Sequence, residues 1–197
     1  MARKPRQMVD NGCYHLIARG NNRQFLFREK EDFLCFLDLL GRAKERHPAK
    51  LYHYCLMSNH IHLLLEIATG KTLPKFMKML LQGYGRKFQK KTGHVGHVWQ
   101  GRYKSPLVDQ ESYFLEAGRY IERNPLRAGA AQDLQGYPWS SYPFYAHGTD
   151  DPLVDEDPYY QQLGLDLYRR QEAYRDFVRL EHPYDRMLDA ELVEGAF

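Results

Sequence analysis

The stretch Leu51-Tyr52-His53-Tyr54-Cys55-Leu56-Met57-Ser58-Asn59-His60-Ile61-His62-Leu63-Leu64-Leu65-Glu66-Ile67 decides the fold. It is apolar and aromatic, holds no Gly or Pro, and is broken once by the turn-forming pair Ser58-Asn59. That pattern predicts two antiparallel strands, 51–57 and 60–67, joined by a tight turn and closed by Thr69-Gly70. Side chains alternate along a strand. Ile61, Leu63, Leu65 and Ile67 therefore share one face and supply a packed core. His60, His62 and Glu66 share the other.

Working outward, Cys13–Arg19 has strand character and ends at the turn signal Gly20-Asn21-Asn22. Between it and the central pair, Phe33, Phe36/Leu37, Leu40 and Ala43 recur at helical spacing over 30–46, and Pro48 ends that helix. Beyond the central pair, Phe76, Met79/Leu80, Gly83/Tyr84 and Phe88 make 74–91 a long basic amphipathic helix with Pro74 in its first turn. A glycine- and histidine-containing loop follows over 93–101. Residues 102–108 read as a short fourth strand that Pro106 confines to an edge or bulge. Asp109 is a good N-cap for a helix reaching about Arg123, with Glu111 in its first turn and Pro125 as its stop.

The order β-α-β-β-α-β predicts an α+β fold of the ferredoxin-like split βαβ kind, one antiparallel sheet with helices on a face. After it, Pro138–Tyr142 reads as a loop that packs an aromatic ring, and 166–180 as a helix with Leu167, Gln171, Tyr174 and Phe177/Val178 on one side. Gly148–Pro158, rich in Asp and Pro, is the linker candidate. The expected organisation is one domain over 1–147 and an acidic, partly helical C-terminal extension over 148–197.

Composition narrows the class. At 197 residues, 43% apolar and 27% charged, the chain is long enough for one core and is neither a disordered tract nor a membrane protein. Its longest uncharged apolar run is far short of a membrane span. The N-terminus is basic with no apolar stretch behind it, so no signal peptide is expected. Cys13, Cys35 and Cys55 are too few and too scattered for a disulfide framework or a thiolate metal site. A cytoplasmic protein is the expectation.

The net charge of +3 hides a division: residues 1–149 carry a surplus of 11 cations, and 150–197 a deficit of 8. Lys71, Lys75, Lys78, Arg86, Lys87, Lys90, Lys91, Arg102 and Lys104 follow one another without an acid between them. Such a stripe attracts polyanions through counterion release, although a solvated helix face explains many charge runs.

Two further patterns carry chemistry. His60 and His62, at i and i+2, point the same way roughly 6.5–7 Å apart along the strand, a spacing from which two neutral imidazoles can hold one divalent ion. Two ordinary histidines fit the same spacing. His15 and His53 lie in strands and read as structural; His94 and His97 lie in the basic loop. In Arg119-Tyr120-Ile121-Glu122-Arg123-Asn124-Pro125-Leu126-Arg127, Tyr120 and Asn124 share a helix face, with Arg119, Arg123 and Arg127 as a cationic flank. By itself Tyr120 is equally a core-margin tyrosine, and Asn124 a helix end.

Together these residues resemble a known family. His60-Ile61-His62 after Met57-Ser58-Asn59 is similar to the HUH motif of single-strand DNA nicking enzymes. Trp99–Ser105, Arg119–Ala128 and Trp139–Tyr142 resemble the IS200-like tyrosine transposases, and among them the REP-associated tyrosine transposases, over roughly residues 8–145. The resemblance implies Tyr120 as nucleophile, His60 and His62 as the metal pair and Asn124 as third ligand. It implies cleavage of single-stranded DNA beside a hairpin, a 5′-phosphotyrosine link, a free 3′-OH and rejoining without ATP. Mixed imidazole and carbonyl ligands suit Mg²⁺ or Mn²⁺.

The expected partner is thus single-stranded DNA with a hairpin, the expected assembly a monomer or homodimer. Arg86, Lys87, Lys90, Lys91, Arg102, Lys104, Arg119, Arg123 and Arg127 are the expected DNA contacts, with Tyr84, Trp99 and Tyr103 as stacking candidates. A non-catalytic single-stranded nucleic-acid binder is the first rival. A metal-dependent hydrolase that uses water is the second, weakened because Glu66 lies four residues beyond His62.

Overall fold

In the computed structural model, which describes residues 7–108, 111–181 and 185 (of 111 and 112 the backbone only), the two strands flanking Ser58-Asn59 form as expected. β2 (Ala49–Met57) and β3 (His60–Ile67) pair antiparallel, and β1 (Gly12–Arg19) pairs with the other edge of β3, giving the order β1-β3-β2. β3 is therefore central, and its alternation sorts the whole molecule into two sides.

α1 (Lys30–Arg46) and α2 (Leu73–Thr92) cover the apolar side. α1 opens with a reciprocal capping box between Glu29 and Asp32, which satisfies two N-terminal donors. α2 has Pro74 in its first turn and ends at Gly93, whose φ of 69° is the left-handed conformation glycine adopts freely. Between these helices and the sheet, Leu16, Ile61, Leu63 and Leu65 pack with Phe36, Leu40, Phe76 and Leu80. Each such fully buried side chain is worth about 1.5–3 kcal/mol of transfer free energy.

The histidine side is covered by α3 (Glu111–Arg127). Phe114, Ala117, Tyr120 and Ile121 pack on Cys13, Cys55, Met57 and Leu64. A bulge in β2 sharpens this contact. Leu51 pairs with Leu65 and His53 with Leu64, so Tyr52 is the extra residue. Tyr52 and His53 both meet α3, Tyr52 edge-on to Phe114 and His53 bonded to Glu122. Behind α3 lie α4 (Tyr142–His147) and α5 (Leu167–Arg179), around an aromatic cluster of Tyr142, Tyr145, Tyr160 and Tyr174. Asp166 caps α5 by accepting from the Arg169 N–H. The Pro138–Tyr142 loop packs as expected, with Trp139 stacked on Phe33 at 4.4 Å.

The architecture is the α+β arrangement expected, with three local corrections. The segment after the loop is not a regular fourth strand. It follows β1 through Lys104 and Val108, but at Pro106 only the carbonyl takes part, accepting from His15, because proline has no N–H to return. Pro125 does not stop α3, which runs on to Arg127. Its expected N-cap, Asp109, lies outside the described residues. The stretch read as a linker is pinned to β2: Tyr54 Oη donates to Asp151, the Leu51 N–H and Lys44 to Asp155, and His53 meets Asp157.

Candidate active site

The register of β1 on β3 sets the site. Arg19 pairs with His60, Ile17 with His62 and His15 with Leu64, so the β1 residues of odd number share the face of the two histidines. The His60 and His62 ring centroids are 5.0 Å apart. His15, read from the sequence as structural, joins them: its Nε2 lies 2.9 Å from His62 Nδ1. α3 lays Tyr120 over this group, edge-on to His15 at 5.7 Å and to His62 at 6.0 Å between centroids. The Arg127 guanidinium stands 4.8 Å from the centre of the Tyr120 ring. His62 and Tyr120 are each only 3% exposed; His60 is half-buried.

Burial governs the protonation of these rings. It lowers His15 to about 3, since charging a ring without solvent is costly. Burial, then the nearby Arg19, lowers His60 to about 4. Burial, then the charges of His60, His15, Arg19 and Arg127, holds His62 well below its ordinary value. All three are neutral at pH 7, the state in which imidazole ligates metals.

Their outer hydrogen bonds set which nitrogen is left over. His60 Nδ1 lies 2.6 Å from the Asn59 Oδ1, an acceptor, so Nδ1 carries the proton and Nε2 keeps a lone pair. If His62 Nδ1 donates to His15 Nε2, His62 Nε2 is likewise free. The His15 proton then sits on Nδ1, a buried atom with no hydrogen-bond partner among the described residues. The arrangement matches the outer contacts that orient metal-bound histidines.

Asn124, 9% exposed, donates from Nδ2 to the carbonyls of Tyr120 at 2.9 Å and Ile121 at 3.2 Å, so both bonds turn its amide nitrogen back onto α3. Among the described residues no group of three or more His, Cys, Asp or Glu side chains is placed to hold a metal ion. The two imidazoles form a neutral pair. It suits a cation that draws its remaining ligands from phosphate oxygens.

The expected cations divide into four groups. Arg127 is at the site. Arg102 is exposed in the loop that follows α2, and Lys104 is half-buried on the β1 edge. Arg86, Lys87 and Lys90 are exposed, but on α2, the layer across the sheet from the imidazoles. Lys91 beside them is ion-paired with Asp32 at 2.6 Å and Glu29 at 3.0 Å. Arg119 and Arg123, expected at a DNA surface, are instead 0% and 5% exposed. Arg119 bonds the Leu180 carbonyl, Asp185 and Glu116; Arg123 bonds the carbonyls of Val178 and Arg179. The helix periodicity that placed them beside Tyr120 carried no information about the C-terminal segment that covers them. Of the stacking candidates, Tyr84 is buried and Trp99 donates to the Leu81 carbonyl, so both belong to the packing of α2.

His15, Asn59 and Arg19 are the residues that the sequence reading passed over. Alternation was the available signal for His15 and Arg19: with Tyr14, Leu16 and Ala18 assigned to the core, both fall on the opposite face. Their register against β3 had no signal.

Comparison with known proteins gives the family of the chain and solved structures of similar fold. The family model of IS200-like transposases matches residues 8–124, a span that closes on Asn124. No protein of curated function matches the sequence. A solved REP-associated tyrosine transposase bound to a REP hairpin is similar in fold, with a TM-score of 0.63 and 16% identity, covering 80% of this chain and 99% of that one. A Deinococcus radiodurans protein described as a candidate transposase matches with a TM-score of 0.43 and 23% identity, over 62% of this chain and 97% of that one.

Proposed function

Because the chain belongs to the IS200-like transposases, we propose that it cleaves and rejoins single-stranded DNA beside a hairpin, with Tyr120 as nucleophile. The observation that carries this reading is the placement of the Tyr120 ring against His15 and His62 within one chain. That placement also supports use of Tyr120 in cis.

The phenol oxygen attacks the scissile phosphorus. A Tyr120 Oη–P bond forms, the P–O3′ bond breaks, and the departing oxygen takes a proton to become a free 3′-OH. The 5′ end stays on the protein as a phosphotyrosine, which conserves the diester so that a 3′-OH can reverse the step. A phenol ordinarily titrates near 10. The Arg127 guanidinium against the ring favours the negative charge that grows in the transition state. His15 and Asn59 orient the rings of His62 and His60. His60, His62 and Asn124 would hold the divalent ion, Mg²⁺ or Mn²⁺, which when bound polarises a non-bridging phosphate oxygen.

A non-catalytic binder remains the second reading, favoured by the near-complete burial of Tyr120. One experiment separates them. The protein is incubated with a labelled single-stranded hairpin carrying unpaired flanks and Mn²⁺, then run under denaturing conditions. The nuclease reading expects a species retarded by the mass of the protein, lost in Tyr120→Phe while hairpin binding stays within about twofold. Free 5′-phosphate ends without an adduct would mean attack by water. Intact DNA with tight binding would mean the binder.

A further inference from the structure

Between β1 and α1 the chain makes a loop with an uncommon backbone conformation. Asn22 and Arg23 are consecutive non-glycine residues with φ of 50° and 56°. Left-handed backbone is unfavourable for side chains bearing a Cβ, most of all for a long one such as Arg23. What the conformation achieves is outward display. Asn21, Asn22 and Arg23 are exposed, and Phe25 is 60% exposed, whereas the next residues, Leu26 and Phe27, are buried at 0% and 2%.

The loop is also rigidly held. The Gly20 N–H donates to the Asn59 carbonyl at 2.8 Å, and the N–H groups of Leu26 and Phe27 both donate to the Ser58 carbonyl. The Asn21 N–H and Gln24 Nε2 donate to the Val98 carbonyl, each at 2.9 Å. Asn59 Nδ2 reaches the Arg23 carbonyl. A Cβ on Gly20 would lie 2.5 Å from the Gln24 carbonyl oxygen, so the loop closes this tightly only over glycine. Asn59 is the residue that orients His60, and Arg19 pairs with His60 across the strands. The loop therefore borders the imidazole end of the sheet, between the Ser58-Asn59 turn and the loop that holds Val98.

We infer that Asn21–Phe25 is a reading platform for unpaired DNA bases beside the cut. This rests on the single-strand nuclease reading above. Phe25 offers an apolar face on which a base stacks, Asn21 and Asn22 offer paired donors and acceptors to base edges, and Arg23 a donor fork. Preorganisation by these bonds means that the loop backbone is not ordered at the expense of binding. A duplex stem, whose bases are already stacked, has no use for Phe25; an unpaired flank does.

The test compares two labelled hairpins with the same stem, one blunt and one carrying the unpaired flank, for the wild type, Phe25→Ala and Phe25→Trp. The wild type is expected to bind the flanked hairpin more tightly. Phe25→Ala is expected to lose on the order of 10- to 100-fold of that affinity and none for the blunt stem, and Phe25→Trp to restore it. Flanks substituted one position at a time with 5-iodouracil should crosslink to a peptide containing residues 21–25. Equal losses on both hairpins, or no loss and crosslinks elsewhere, would overturn the platform while leaving the nuclease reading intact. A wild type that binds neither hairpin overturns the nuclease reading, and the platform with it.

Discussion

Asn124 has a local duty beside the ligand role proposed for it. Pro125 has no N–H, so within α3 the carbonyl of Ile121, four residues back, loses its helical donor. Asn124 Nδ2 replaces it, bonding the carbonyls of Ile121 and Tyr120. That is why the helix passes through a proline at which the sequence reading ended it, and why the carboxamide oxygen is held in one orientation. Asn124→Ala is therefore expected to lower stability as well as activity. The orphaned buried carbonyl costs about 1–3 kcal/mol, a Tm loss on the order of 5 °C in a chain of this size. Adding Pro125→Ala returns an N–H and should recover the Tm without recovering cleavage. Thermal denaturation of the single and double variants, beside a cleavage assay, checks both halves; a single variant with unchanged Tm would remove the structural role. The sequence showed that Tyr120 and Asn124 share a face. That Asn124 also repairs the proline depends on a side-chain rotamer, which spacing does not encode.

α3 is held to the sheet by a buried ionic cluster, and its position sets that of Tyr120. His53 Nδ1 lies 2.9 Å from Glu122 on α3, and Nε2 3.0 Å from Asp157, all three fully buried. Glu122 also accepts from Ser141 at 2.6 Å and from Tyr174 at 2.7 Å, and the His53 ring stacks on Tyr145 at 4.4 Å. Gly118 lets the helix approach, since a Cβ there would lie 2.5 Å from His53 Nε2. Burial alone would lower the pKa of His53, but the bonds to Asp157 and Glu122 outweigh it and push it up to about 9. A histidine raised above its unfolded value of about 6.5 stabilises fully below that value, and the stabilisation is lost as pH rises through the folded one. The Tm should therefore fall between about pH 6.5 and 9. His53→Gln should be less stable at pH 6 and show a flatter profile across that window; an equally steep profile would assign the titration to other groups. The strands that build this cluster, and the helix itself, were legible from alternation and periodicity. The bulge that brings Tyr52 to the same side as His53 was not, because it depends on which residues of β3 lie opposite.

At the scale of the whole molecule, charge is the feature that the sequence displayed most plainly and located least well. The basic stripe of the sequence is split in space, and the sheet divides its α2 cations from the imidazoles: Arg86, Lys87 and Lys90 lie with α2 on one side, Arg127 with α3 on the other. The buried Arg119 and Arg123 belong to neither surface, since they fasten the C-terminal segment to α3. Periodicity locates a residue on a helix, whereas exposure depends on what returns from far along the chain to cover it. The two kinds of arginine should separate by salt dependence. If a hairpin stem lies along α2, each lost phosphate contact lowers the slope of log affinity against log salt by about 0.9. Replacing Arg86, Lys87 and Lys90 by Gln together should then reduce the slope by up to about 3, leaving the Tm nearly unchanged, as expected of exposed side chains. Arg119→Met should act in the opposite sense. Removing one member of a buried ion pair costs roughly 3 kcal/mol, so the Tm falls steeply while the slope for the protein still folded is unaltered. Binding measured between 50 and 200 mM salt, beside thermal denaturation, reads both quantities on the same samples. A slope that is indifferent to the α2 triple variant would move the DNA stem off that helix, toward the Arg102–Lys104 edge and the imidazole side of the sheet.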